Sequence, residues 1–224
     1  MIRLTVLLLL TLISSATIAQ NFRLGFQASP QMSWMTSSKS GITNNELRPG
    51  VKYGLEADIF LSGFPRYSLN TGLFVVSSSY SAHYDIEETF FINEVTFENP
   101  VDLNFKMNYI EIPLDIKLKS DQFYRMNFYG QFGLAALFNL SASASSSDAK
   151  FGGDDVNSEI NNYTIKPFNL CMIMGAGVEY DVGGNTALNL GLQYSNGLID
   201  ITNIGNLSEK TNLNSLRLVL GVMF

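Results

Sequence analysis

Ser215-Leu216-Arg217-Leu218-Val219-Leu220-Gly221-Val222-Met223-Phe224 decides how the rest of the chain is read. Successive side chains of an extended strand point to opposite faces. Leu216, Leu218, Leu220, Val222 and Phe224 therefore share one face, while Ser215, Arg217, Val219, Gly221 and Met223 share the other. One face is uniformly apolar and the other carries a charge, a hydroxyl and a glycine. Such strict alternation predicts a strand with one apolar side.

The same period recurs towards the N-terminus. Leu188, Leu190, Leu192 and Tyr194 oppose Ala187, Asn189, Gly191, Gln193 and Ser195. Segments around 22–29, 53–60, 69–76, 109–117, 128–135 and 169–179 repeat it with varying clarity, for a total of eight strands. The stretches between them alternate in length. Residues 35–48, 81–104, 145–165 and 198–212 are long and polar, whereas Ser62–Arg66, Ser120–Gln122 and Gly183–Asn185 are short. Long loops at one end and short turns at the other are the pattern of bacterial outer-membrane barrels. An even strand count puts both termini at the short-turn end, which that pattern places in the periplasm with the long loops extracellular.

Composition supports an exported protein of this class. The chain has 224 residues, 46% of them hydrophobic and 15% charged, which is too apolar for a disordered chain. Arg3, the apolar run Leu4–Ile13 and Thr17-Ile18-Ala19 read as a cleavable secretory signal over residues 1–19, leaving a barrel domain over 20–224. No cysteine stands at that cleavage site, so a lipoprotein is not expected. The single cysteine, Cys171, excludes an internal disulfide framework. A formal net charge of −6 with no basic run argues against nucleic acid as a partner. The fold expected is an all-β, eight-stranded antiparallel up-and-down transmembrane β-barrel. A soluble barrel would alternate equally well, with its apolar face turned inward.

The polar faces carry Arg23, Glu56, Asp58, Glu111, Asp115, Lys117, Glu179 and Arg217. Eight strands leave an interior just wide enough for side chains. Charges there must pair to offset their desolvation. They are expected to form a structural ion network that plugs the lumen, with no wide pore. Cys171 falls on the same face, as a small buried residue.

Candidates for chemistry are few. His83 is the only histidine and lies near Ser79, Ser81 and Asp85 in sequence. An outer-membrane hydrolase acting on lipid A would need such a base beside a nucleophile and an acid. A solvated loop histidine is the plainer account. Asp85, Glu87, Glu88, Glu94, Glu98 and Asp102 crowd one long loop, and Asp148, Asp154, Asp155 and Glu159 another, without the ordered spacing of a calcium loop. They are read as a solvated acidic surface. No cofactor, metal or catalytic residue is expected. Trp34, Tyr80, Tyr84, Phe123, Tyr124, Tyr180 and Tyr194 fall near strand ends, as interfacial aromatic girdles do.

Several stretches also resemble a known family: Asn21–Gly25, the central Asn108-Tyr109-Ile110-Glu111-Ile112-Pro113-Leu114, Gly175–Tyr180 and Tyr194–Leu198. Together they look like the PorT-like outer-membrane β-barrel family of Bacteroidetes-type bacteria. The resemblance implies an outer-membrane location and, through its founding member, a link to a secretion and protease-maturation system. The matching positions are barrel positions, so that role does not transfer with them. The terminal Phe224 resembles the signal read by the barrel-assembly machinery, which would be a folding partner. Outer-membrane lipid and an envelope or secretion protein are the other partners expected. The function expected is a structural or partner-docking barrel, with the lipid A enzyme and the secretion accessory as alternatives.

Overall fold

The computed structural model describes residues 22–37, 42–44, 46–61, 64–84, 90–92, 95–97, 101–146, 157–159, 165–201 and 211–224. The expected signal over 1–19 and most of the acidic loop residues lie outside them. Eight long strands form: β1 (Phe22–Ser37), β2 (Arg48–Leu61), β3 (Phe64–Tyr84), β4 (Val101–Lys119), β5 (Met126–Ser146), β6 (Phe168–Gly183), β7 (Thr186–Gly197) and β8 (Thr211–Met223). Each pairs antiparallel with its neighbours in sequence, and β8 returns to pair with β1. Arg217 lies opposite Gln31 and Met223 opposite Gly25, and the Phe224 N–H donates to the Leu24 carbonyl at 2.7 Å. No long edge is left open, as hydrogen bonding in lipid requires. Among the described residues there is no helix.

The short connections all lie at one end, together with Phe22 and Phe224. The β6–β7 hairpin turns through Gly183 and Gly184 at φ +122° and +66°, values that favour glycine over other residues. At Pro113 the missing N–H interrupts the β3–β4 ladder. The Thr71 hydroxyl donates to the Pro113 carbonyl there at 2.8 Å.

Which face points outward separates the two kinds of barrel. Leu114, Leu190 and Leu218 are 56%, 55% and 41% exposed, whereas Glu111, Lys117 and Arg217 are 0–2% exposed. The apolar side chains face out and the charges face in, which is the membrane arrangement and the inverse of a soluble barrel.

The strands run further than the sequence pattern implied. β3 and β5 each span 21 residues, about twice the 9–11 a tilted strand needs to cross a bilayer. They continue into stretches expected to be loop, up to Tyr84 in β3 and from Val101 in β4. Ile42–Asn44 adds to the free side of β3 and Asn157–Glu159 to that of β5. The result is a wall that rises past the rest of the barrel at the long-loop end.

The wall follows the opposite solvent rule. On β4 the outward side chains are Ile110, Ile112, Leu114, Ile116 and Leu118 near the turns, then Asn108, Lys106, Asn104 and Asp102 further up. The inward ones change at the same height, from Lys119, Lys117, Asp115 and Glu111 to Tyr109, Met107 and Phe105. On β3, outward Leu73 and Val75 give way to Ser77 and Ser79. Parity never slips on β4; only the surrounding solvent changes. Below the switch the strand is built for lipid outside and a polar lumen. Above it the strand is built for water outside and an apolar core.

Candidate functional site: the barrel interior and the projecting wall

The interior has two tiers. The tier nearer the short turns holds the charges. Lys117 Nζ, fully buried, lies 2.7 Å from Glu179, 3.3 Å from Asp58 and 3.7 Å from Glu56. Lys119 joins the same carboxylates, at 3.2 Å from Asp58 and 2.9 Å from Glu179, and Arg23 reaches Glu179 at 3.0 Å. Asn70 Nδ2 bridges Glu56 and Asp58 at 2.7 and 2.8 Å, separating two like charges. Higher up, Glu111 receives Lys52 at 2.7 Å and Arg217 at 2.8 Å. Arg217 also donates to Gln31 and Gln193. Lys52 Nζ sits 4.0 Å from the centre of the Phe74 ring, and Lys117 Nζ 4.7 Å from that of Tyr129.

All eight sequence-predicted lumen residues therefore face inward, but seven of them form two clusters rather than one network. Asp115 belongs to neither. It is 1% exposed and neither carboxylate oxygen has a hydrogen-bond partner among the described residues. Two members were missed. Lys52 and Lys119 lie one step beyond the segments recognised as strands, with the same parity as Glu56 and Lys117. Carrying the alternation one step further in each direction would have found them. With them, the five cations Arg23, Lys52, Lys117, Lys119 and Arg217 match the five carboxylates Glu56, Asp58, Glu111, Asp115 and Glu179.

The tier nearer the long loops is apolar: Met35, Val76, Tyr80, Phe105, Met107, Tyr109, Leu137, Cys171, Ile173 and Leu213 pack together, capped by Ile165 and Ile201. The expected ion network plugs the lumen only at the tier nearer the short turns, and this half is filled mainly by apolar side chains. The placing of Tyr80 is corrected: it is buried in this core, not in a girdle. Trp34 and Tyr194 do stack at an outer-face strand end, with ring centres 6.0 Å apart, and Phe123 and Tyr124 are exposed at a short turn. The Tyr84 side chain lies outside the described residues. At the short-turn mouth a cavity of about 430 Å³ opens between Phe22, Arg23, Phe60, Glu179, Asp181 and Asn185. The Arg23–Glu179 pair is part of its lining, so it borders the charged tier.

His83 sits on the outward face of the wall, half-exposed. Its Nδ1 lies 2.6 Å from Asp102 Oδ1, directly opposite on β4, with Thr43 opposite on its other side. Asp85, the acid suggested by sequence proximity, lies outside the described residues, as do Glu87, Glu88, Glu94, Glu98, Asp148, Asp154 and Asp155. Among the described residues no group of His, Cys, Asp or Glu is placed to hold a metal ion.

A closed antiparallel barrel of eight strands, apolar outside and charged within, is a membrane-spanning barrel of the bacterial outer-membrane type. The chain belongs to the outer membrane protein beta-barrel domain family, whose profile matches residues 18–203. No curated protein matches it in sequence. Among solved structures it is similar to Neisserial surface protein A, at 16% identity and a TM-score of 0.43 over 89% of this chain and 95% of that one. It is also similar to Ail, the attachment invasion locus protein of Yersinia pestis, at 13% identity and 0.39 over 92% and 100%. OprG from Pseudomonas aeruginosa is similar at 9% identity and 0.43 over 91% and 96%.

Proposed function

We propose that this is a non-catalytic barrel that docks a partner through the β3–β5 wall, with both termini in the periplasm and the wall outside the cell. The observation that carries the reading is the change of side-chain character at Asn108–Ile110. It leaves a water-facing sheet standing clear of the lipid band, on a barrel whose interior is filled at both tiers. A filled lumen disfavours a small-solute channel, and planar-bilayer conductance of the purified barrel tests that directly. A rigid sheet is a better platform for recognition than a loop, because its side chains are held by the ladder beneath them. The lipid A enzyme is disfavoured, because His83 is held by Asp102 across strands on the outward face, half-exposed.

Two experiments test this reading. Orientation is read by placing a cysteine at Ser79 in a Cys171→Ala background and treating intact cells with a membrane-impermeant maleimide. Labelling is expected, and labelling only after the outer membrane is permeabilised would overturn the orientation. Docking is read by photo-crosslinking from positions 83 and 102, with position 114 in the lipid band as control. A discrete protein adduct from the wall alone is expected; identical patterns at all three would remove the docking role. Lipid A profiles of a His83→Ala strain are expected to be unchanged.

A further inference from the structure

Two rows of outward side chains lie just past the apolar band. Register sets Ser77 opposite Asn108 and Asn108 opposite Ser141. Two residues further up, Ser79 faces Lys106 and Lys106 faces Ser143. Asn108 Nδ2 donates to Ser141 Oγ at 2.9 Å, which places both on the outward face. Lys106 is exposed and occupies the middle of the upper row.

A bulge sets this grid. The β4–β5 register shifts between Asn108, which faces Ser141, and Tyr109, which faces Asn139, leaving Leu140 over. Outward residues on β5 are even-numbered up to Phe138. Unbroken alternation would turn Ala142 outward and the serines inward. The extra residue reverses that: Ser141 and Ser143 face out, and Ala142 is buried in the apolar core. Bulges commonly re-aim a side chain in this way.

The upper row stands just above the lipid headgroups, within reach of a lysine stem. Lys106 lies four residues beyond Ile110, the last outward apolar residue of β4. That is about 13 Å along a strand rising about 3.3 Å per residue, and about 10 Å along the normal of a barrel tilted by about 40°. Headgroups occupy about 5–7 Å on each side of the hydrocarbon, and a lysine reaches down several ångströms along its own stem. The patch is continuous with the lipid-facing surface, carries one exposed cation and sets hydroxyl and amide donors beside it; register ends the upper row at Glu159, beyond Ser143 and about 10 Å from Lys106. A phosphate suits that set: a charge for Lys106 and oxygens for the neighbouring hydroxyls.

We propose that Lys106, with Ser77, Ser79, Asn108, Ser141 and Ser143, docks the phosphate of an anionic glycolipid in the leaflet at the long-loop end. The proposal rests on the orientation given under Proposed function, which makes that leaflet the outer one. The test is native mass spectrometry of the purified full-length barrel released from micelles holding bisphosphorylated lipid A or its phosphate-free counterpart with the same acyl chains. The wild type should retain the phosphorylated lipid about fivefold better, the size of one cation's contribution at a charged lipid surface. Lys106→Ala should lose that preference, Lys106→Arg should keep it, and Ser79→Ala with Ser143→Ala should weaken it. Equal retention of the two lipids by the wild type, or an unchanged preference in Lys106→Ala, would overturn the proposal. Preferential retention of phosphatidylglycerol over lipid A through Lys106 would overturn the glycolipid assignment. These outcomes are read in micelles, so they are independent of the maleimide result in cells.

Discussion

Arg217 grips Glu111 with two nitrogens inside the barrel, Nη1 on Oε1 at 3.0 Å and Nη2 on Oε2 at 2.8 Å, while Lys52 donates to the same Oε1 at 2.7 Å. One carboxylate therefore holds two cations, Lys52 from β2 and Arg217 from β8. Removing it strands two buried positive charges. Glu111→Gln should cost about 3–5 kcal/mol, the usual range for breaking a buried pair from one side. Urea unfolding of the barrel in lipid vesicles measures this. Adding Lys52→Met to Glu111→Gln should cost less than the two changes summed, since the second removes a charge the first orphaned.

The lower cluster should respond unequally to its two lysines. Lys117 touches three carboxylates and is fully buried, whereas Lys119 touches two and stands nearer the mouth. Lys117→Met should destabilise by about 3–5 kcal/mol. Lys119→Met should cost clearly less, because water at the mouth screens what it leaves behind. The same unfolding titration compares them, and equal costs would contradict the screening of Lys119's partners at the mouth.

The lipid band predicts a steep positional effect. Leu114→Arg puts a charge in mid-band and should cost about 2–4 kcal/mol, while Asn108→Arg, just past the band, should cost about 0–1 kcal/mol. Refolding yield into vesicles, followed by the gel shift between heated and unheated samples, is a second readout. Comparable losses at both positions would mean the band edge lies elsewhere.

Gly177 and Gly191 lie opposite each other on β6 and β7, under the Tyr129 hydroxyl. A methyl at Gly191 would meet that hydroxyl at less than contact distance. Gly191→Ala should therefore cost about 1–3 kcal/mol by overpacking. Tyr129→Phe should recover part of the loss by removing the clashing oxygen.

Much of this architecture was legible because a lipid-facing strand obeys a simple rule, apolar out and polar in. Leu188–Ser195 and Ser215–Phe224 follow it without interruption, and the eight strands and the eight inward charges were read from it. The wall was missed although its pattern was present. Residues 101–109 alternate strictly, but the apolar Phe105, Met107 and Tyr109 hold the parity that carries Glu111, Asp115 and Lys117 lower down, so the stretch does not extend the apolar-out face and its start reads as loop. The Leu140 bulge hid the end of β5 by breaking the period at the same height. The His83–Asp102 contact joins residues from two strands whose pairing no local pattern encodes. Lys52 and Lys119 needed only one more step of an alternation already recognised.

The claim that most of this depends on is the change of environment at Asn108–Ile110. Nitroxide labels placed singly at 104, 106, 108, 110, 112 and 114 in a Cys171→Ala barrel, reconstituted in bilayers, test it most directly. All six positions face outward, so molecular oxygen and a water-soluble nickel complex report only the solvent. Positions 110, 112 and 114 should be oxygen-accessible and closed to nickel, and positions 104, 106 and 108 the reverse, with the crossover between 108 and 110. Uniform nickel accessibility along the series, or a crossover displaced by a full turn of side chains, would contradict the account.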